Sequence, residues 1–84
     1  MRNKKRLYKK KYMIVFYDME DETYLYGFNN CYEICIWKKW EPTVKNLNFI
    51  QYTLCRALKR ETHKTNLLDG TYMRVYLVDI NEDL

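Results

Sequence analysis

Residues 12–18, Tyr-Met-Ile-Val-Phe-Tyr-Asp, form a short apolar run, β-branched and aromatic, that ends on charge and predicts a strand. The polar stretch Met19-Glu20-Asp21-Glu22 then turns the chain. Over 23–28, Tyr24, Tyr26 and Phe28 alternate with Leu25 and Gly27, the period of two that completes a β-hairpin. After Phe28 the period changes. Asn29-Asn30 offers a cap, and Glu33 follows Asn30 at the spacing of a capping box, so a helix begins there. Cys31, Ile34, Cys35 and the stem of Lys38 share its apolar stripe, Trp37 and Trp40 flank it, and Pro42 predicts its end near Trp40. Lys38 and Lys39 then fall in the last turn, where cations complement the helix dipole.

A second helix, capped by Thr43 or Asn46, repeats Leu47, Ile50, Leu54, Ala57 and Leu58 at helical spacing, a stripe that faces the core. Its opposite face collects Asn48, Phe49, Tyr52, Arg56, Lys59 and Arg60, with Thr53 and Cys55 at the edges. Residues 61–70 read as a loop ending in Asp69-Gly70, or as a short hairpin or wing around Leu67-Leu68. Residues 71–80 alternate Tyr72, Arg74, Tyr76 and Val78 against Met73, Val75, Leu77 and Asp79, a third strand, before an acidic end at 81–84. The order ββααβ predicts an α+β fold, a three-stranded antiparallel sheet covered by two helices. Residues 12–84 make one domain behind a basic flexible arm at 1–11.

The chain of 84 residues is 48% apolar and 17% aromatic, a composition that folds and that excludes a two-domain enzyme. Its formal net charge of +4 hides a segregation. The arm holds Arg2, Lys4, Lys5, Arg6, Lys9, Lys10 and Lys11 without an acid. Residues 12–37 are net acidic through Asp18, Glu20, Asp21, Glu22 and Glu33. Residues 38–64 are basic again, with Lys38, Lys39, Lys45, Arg56, Lys59, Arg60 and Lys64 against Glu41 and Glu61. Two basic blocks around an acidic one describe a polarised molecule whose basic side faces a polyanion.

Chemistry narrows further. There is no serine, and His63 is the only histidine, so neither a Ser-His-Asp triad nor a two-histidine metal site can be assembled. Cys31, Cys35 and Cys55 show no C-x-x-C spacing and read as reduced, buried thiols rather than as a zinc site with His63. The acidic cluster Asp18 to Glu22 lies in one turn, a solvated hairpin tip rather than converging metal ligands. The expectation is therefore a non-enzymatic protein without metal or cofactor, with no membrane-spanning segment, located in the cytoplasm.

The outward face of the second helix is the candidate site, because a merely solvated face prefers Glu and Lys to Phe and Tyr. Arg56, Lys59 and Arg60 suit phosphates or guanine edges, Asn48 suits adenine, and Tyr52 stacks or touches a thymine methyl. Lys38, Lys39 and the arm residues Arg2, Lys4, Lys5 and Arg6 add phosphate contacts. Two other readings compete: the helix is buried on two sides against the sheet and a homodimer partner, or Phe49, Tyr52 and Arg56 form a protein interface. The tyrosines fill a thin core or furnish a base-stacking platform on the open sheet face.

Several segments together carry a resemblance: Val15-Phe16-Tyr17-Asp18, Gly27-Phe28, Asn30-Cys31-Tyr32-Glu33, Leu54-Cys55-Arg56-Ala57-Leu58-Lys59-Arg60 and Tyr72-Met73-Arg74-Val75-Tyr76. Over residues 12–80 the chain resembles small helix-turn-helix modules of phages and mobile elements, similar to the modular DNA-binding domains attached to homing nucleases. The resemblance implies DNA more than RNA as partner, with the second helix in the major groove through Asn48, Phe49, Tyr52, Arg56 and Lys59. The chain departs from it between the helices, where Trp and Pro replace the usual glycine turn. By size and composition it also resembles phage-encoded inhibitors of host defence, such as anti-CRISPR proteins. That likeness implies an alternative, an inhibitor in the bacterial host cell that binds a defence nuclease complex or its nucleic acid.

Overall fold

The computed structural model describes residues 12–79. The arm at 1–11, including Arg2, Lys4, Lys5 and Arg6, and the acidic end at 80–84 lie outside the described residues. The first apolar run is strand β1 (Tyr12–Asp18), paired antiparallel with β2 (Tyr24–Phe28). Asp18 ties the turn between them: its carboxylate accepts from the backbone N–H of Glu20 at 2.9 Å and of Asp21 at 3.2 Å. The Asp21 carboxylate accepts from the Thr23 N–H at 3.0 Å, and bonds from Thr23 hold its pKa below the ordinary range. These acids are thus occupied in shaping a turn.

The hairpin corrects one expectation, because Tyr24 does not share a face with Tyr26 and Phe28. The register shifts between Phe16 and Tyr17, so Phe16 opposes Tyr26 while Tyr17 opposes Tyr24. Leu25 is the extra residue, and a single inserted residue turns everything before it to the other face. Gly27 makes room for the result: a Cβ there would collide with the Tyr24 hydroxyl and approach Met13 Cε to 3.1 Å.

Helix α1 (Cys31–Trp37) opens as its sequence predicts, with the Asn30 side chain accepting from the Glu33 N–H at 3.0 Å. Glu33 reaches back to Asn29, accepting from its backbone N–H at 2.8 Å and its side-chain amide at 3.1 Å, one residue earlier than in a capping box. Those bonds, the backbone one first, lower the Glu33 pKa. The helix ends at Trp37, before the predicted stop. Lys39 adopts the left-handed conformation (φ 63°), its N–H bonds to the Ile36 carbonyl at 2.9 Å, and the Trp40 N–H bonds to Cys35 at 3.0 Å. This pair of bonds is a Schellman motif with lysine in the place glycine prefers, and it ends the helix without Pro42.

Thr43 caps α2 (Val44–Lys59), accepting from the Asn46 N–H at 3.1 Å, while the Asn46 side chain donates to the Glu41 carbonyl at 2.7 Å. The inward stripe lies as read: Ile50, Leu54 and Ala57 are buried, and Leu47 and Leu58 pack against them. Among the described residues, however, the sheet has four strands rather than three, in the order β2-β1-β4-β3 with β3 at Lys64–Thr65 and β4 at Met73–Asp79. The additional strand β3 pairs with β4, setting Lys64 opposite Arg74 and Thr65 opposite Met73. A strand this short has no alternation to read. It is held by the Val75 N–H bonding to the His63 carbonyl at 2.9 Å, and by His63 Nδ1, 2.8 Å from the Val75 carbonyl.

One face of the sheet takes both helices, α1 over β2 and α2 over β3 and β4, with the helices also packed on each other. Phe16, Ile34, Cys35, Ile50 and Val75 are enclosed there, with Phe16 and Phe28 edge to face at 5.9 Å. Leu67 and Leu68, in the predicted loop, are buried and close this core beside Thr65. Among the described residues the other face carries no helix. On it the register aligns Tyr24 with Tyr17, Tyr17 with Arg74, Arg74 with Lys64, and Tyr76 with Val15.

Candidate functional site

The outward residues of α2 remain uncovered: Asn48, Phe49, Tyr52, Arg56, Lys59 and Arg60 are all exposed. Their distribution is uneven. Between α2 and the sheet edge runs a cleft of about 280 Å³, lined by Phe49, Tyr52, Thr53, Arg56, Ala57, Arg60, Lys64, Thr65, Asn66 and Tyr72. The helix supplies one wall and the β3 edge with Tyr72 the other. Each wall carries a cation over a ring: Arg56 lies 5.5 Å from the Tyr52 ring centre, and Lys64 Nζ lies 4.6 Å from that of Tyr72. Such pairs orient both partners while leaving the guanidinium and ammonium donors open to an anion.

The aromatic floor is fixed from below. Phe49 rests against Trp40 at 5.9 Å, and Trp40 in turn lies under Lys38 Nζ at 4.5 Å. Lys38 itself turns inward, where its ammonium donates to the carbonyls of Leu67 and Leu68, the latter at 2.8 Å. Burial lowers its pKa, with the charge of Asp69 acting in the opposite sense. Lys38 therefore ties the end of α1 to the buried loop. Its neighbour Lys39 is exposed at the helix end. Asn48, Lys59 and Lys39 stay outside the cleft lining, whereas Phe49, Tyr52, Arg56 and Arg60 meet within it.

Sequence reasoning did not single out Lys64 and Tyr72 as cleft residues. A faint signal existed: the alternation that buries Met73 turns Tyr72 away from the core, and Lys64 is the cation nearest the start of that last hairpin. What the sequence does not show is that β3 brings them opposite α2.

Of the three thiols expected to be buried only Cys35 is, its Sγ 3.4 Å from the Glu41 carbonyl; Cys31 is half-buried, and Cys55 is exposed because it falls at the edge of the outward face of α2. Burial raises the Cys31 pKa, and Cys55 adds to the shift. His63 lies against Tyr76, ring over ring at 4.6 Å, on the other side of the sheet. Among the described residues no three His, Cys, Asp or Glu side chains gather as metal ligands, and no helix is long and apolar enough to cross a membrane.

A second concavity, of about 370 Å³, opens on the helix-free face between Tyr17, Glu22, Arg74, Tyr76, Leu77 and Val78. Rings run across this face from Tyr24 to Tyr17 (6.0 Å), from Tyr17 to Tyr76 (5.7 Å) and on to His63. Arg74 is anchored by donating from Nη1 to the Thr62 carbonyl at 3.1 Å, while its buried Nε finds no acceptor among the described residues. No protein-family model matches the chain, and no solved structure matches it.

Proposed function

We propose that this protein binds nucleic acid, DNA foremost, along the cleft between α2 and the sheet edge, as a binding module without catalysis. One observation carries the reading: Arg56, Arg60 and Lys64 converge with Phe49, Tyr52 and Tyr72 in a cleft whose lining, among the described residues, holds no carboxylate. Cations alternating with open rings match a phosphate backbone with bases beside it. Lys59 carries positive charge on α2 outside the cleft lining, residues 1–11 add seven basic side chains to the chain, and Lys38 serves the fold instead.

The test is fluorescence anisotropy of labelled duplex and single-stranded DNA across a series of salt concentrations. With about four to six phosphates neutralised, the log–log salt slope is expected near −4 to −5. Arg56→Ala should weaken binding by about 1–3 kcal/mol if Arg56 reads a base, and Lys5→Ala should weaken all sequences alike. A slope near zero overturns the reading. Loss of a protein partner on Tyr52→Ala, with little salt dependence, would point instead to an inhibitor of a host defence complex.

A further inference from the structure

The α2 cleft and the concavity on the helix-free face meet at one edge. Lys64 lines the cleft and stands in register opposite Arg74, which lines the concavity. A backbone leaving the cleft over the short β3 strand therefore passes from one cation to the next. Beyond Arg74 it meets rings, Tyr17 and Tyr76, edge to face at 5.7 Å. We infer that the helix-free sheet face receives a single-stranded segment, with a phosphate at Arg74 and Lys64 and a base against Tyr17 and Tyr76. This rests on the nucleic-acid reading and deepens it from DNA in general to a strand with an unpaired base.

Charge complementarity selects this occupant. The concavity is bipolar: Arg74 marks one part of its lining and Glu22, from the hairpin turn, another. A nucleotide is bipolar in the same sense, with an anionic phosphate and a base edge that offers N–H donors. A duplex buries those donors in its base pairs, so only an unpaired base presents them to a carboxylate. The Arg74 guanidinium is held at one end by Nη1 on the Thr62 carbonyl, and a guanidinium fixed in this way presents a phosphate with a pre-oriented fork of donors. Guanine suits the Glu22 end best, because its N1–H and N2–H stand side by side and match the two oxygens of a carboxylate. Thymine offers one N–H between two carbonyls and matches poorly.

The experiment titrates the full chain against short labelled oligo(dT), the same oligonucleotide with dG substituted at its centre, and a duplex of the dG sequence. Wild type is compared with Glu22→Gln, Tyr76→Leu and Arg56→Ala, each checked by thermal melting. The expected result is tighter binding of the dG strand than of oligo(dT) or duplex. Glu22→Gln should abolish the dG preference and leave oligo(dT) affinity in place. Tyr76→Leu should weaken single strands about tenfold or more while sparing duplex, in line with the loss of one stacked base. Glu22 is exposed, so its variant keeps the test decisive if Tyr76→Leu does not fold. If Glu22→Gln and Tyr76→Leu bind all three probes as wild type does, while Arg56→Ala loses them, the sheet face is overturned and the cleft stands. Binding of none of the probes overturns both.

Discussion

Along α2 two neighbours of similar bulk meet opposite fates: Ile50 is fully buried, whereas Phe49 beside it is 52% exposed and Tyr52, two residues on, is 61% exposed. The inward stripe is explained by burial, since each large aliphatic side chain removed from water contributes roughly 1.5–3 kcal/mol. The outward flank gains little of this. Its rings are held all the same, Phe49 on Trp40 and Tyr52 against Arg56. Rings held in place without being buried, beside cations, are suited to a partner. The comparison separates a face that folds the protein from a face that is left over once folding is done.

Substitutions on the two faces should therefore separate stability from binding. Ile50→Ala should cost the most, about 2–5 kcal/mol, read by thermal or urea unfolding, because it opens a cavity at a fully enclosed position. Next comes Arg56→Ala, which should weaken DNA by about 1–3 kcal/mol in anisotropy titrations yet leave the melting temperature close to wild type. A drop in melting temperature like that of Ile50→Ala would erase the distinction between the faces.

The adjacent lysines sharpen the same contrast at the end of α1. Lys38→Met should destabilise by about 1–2 kcal/mol, since it strips the partner from the Leu67 and Leu68 carbonyls, without changing the salt slope of binding. Lys39→Gly should stabilise by about 0.5–1 kcal/mol, because glycine takes the left-handed conformation without a Cβ penalty.

The smallest effect should come from Glu33, whose carboxylate bonds to Asn29 lower its pKa from 4.5. A carboxyl with a lowered folded pKa contributes stability above its unfolded value, and that contribution fades as pH falls through the folded pKa. Melting temperature should thus fall on acidification from about pH 5 downwards, and Glu33→Gln should lack that part of the fall. Equal acid sensitivity in both proteins would assign it to other carboxyls.

Much of the frame was legible because it rests on local patterns. Asn30 and Thr43 cap their helices through their own side chains, and the stripe from Leu47 to Leu58 faces the core as its spacing requires. What escaped involved residues whose roles depend on distant partners. Tyr24 changes face because β1 and β2 pair with a bulge, and alternation within either strand does not reveal it. Lys38 and Lys39 look equivalent in sequence. One is captured by carbonyls nearly thirty positions away, and the other terminates a helix.

By itself the sequence determined the α+β composition, the two capped helices, the inward stripe of α2 and the exposed cations opposite it. Periodicity and side-chain capping act over a few residues, so they survive in a linear reading. Only the tertiary structure decided between a loop and a hairpin around Leu67-Leu68, in favour of Lys64–Thr65 pairing with β4. It also decided that Lys64 and Tyr72 line one cleft with Arg56 and Tyr52, and that Tyr17 joins Arg74 and Tyr76 on the open sheet face. Those placements follow from strand register and helix packing, which bring together residues far apart in the chain.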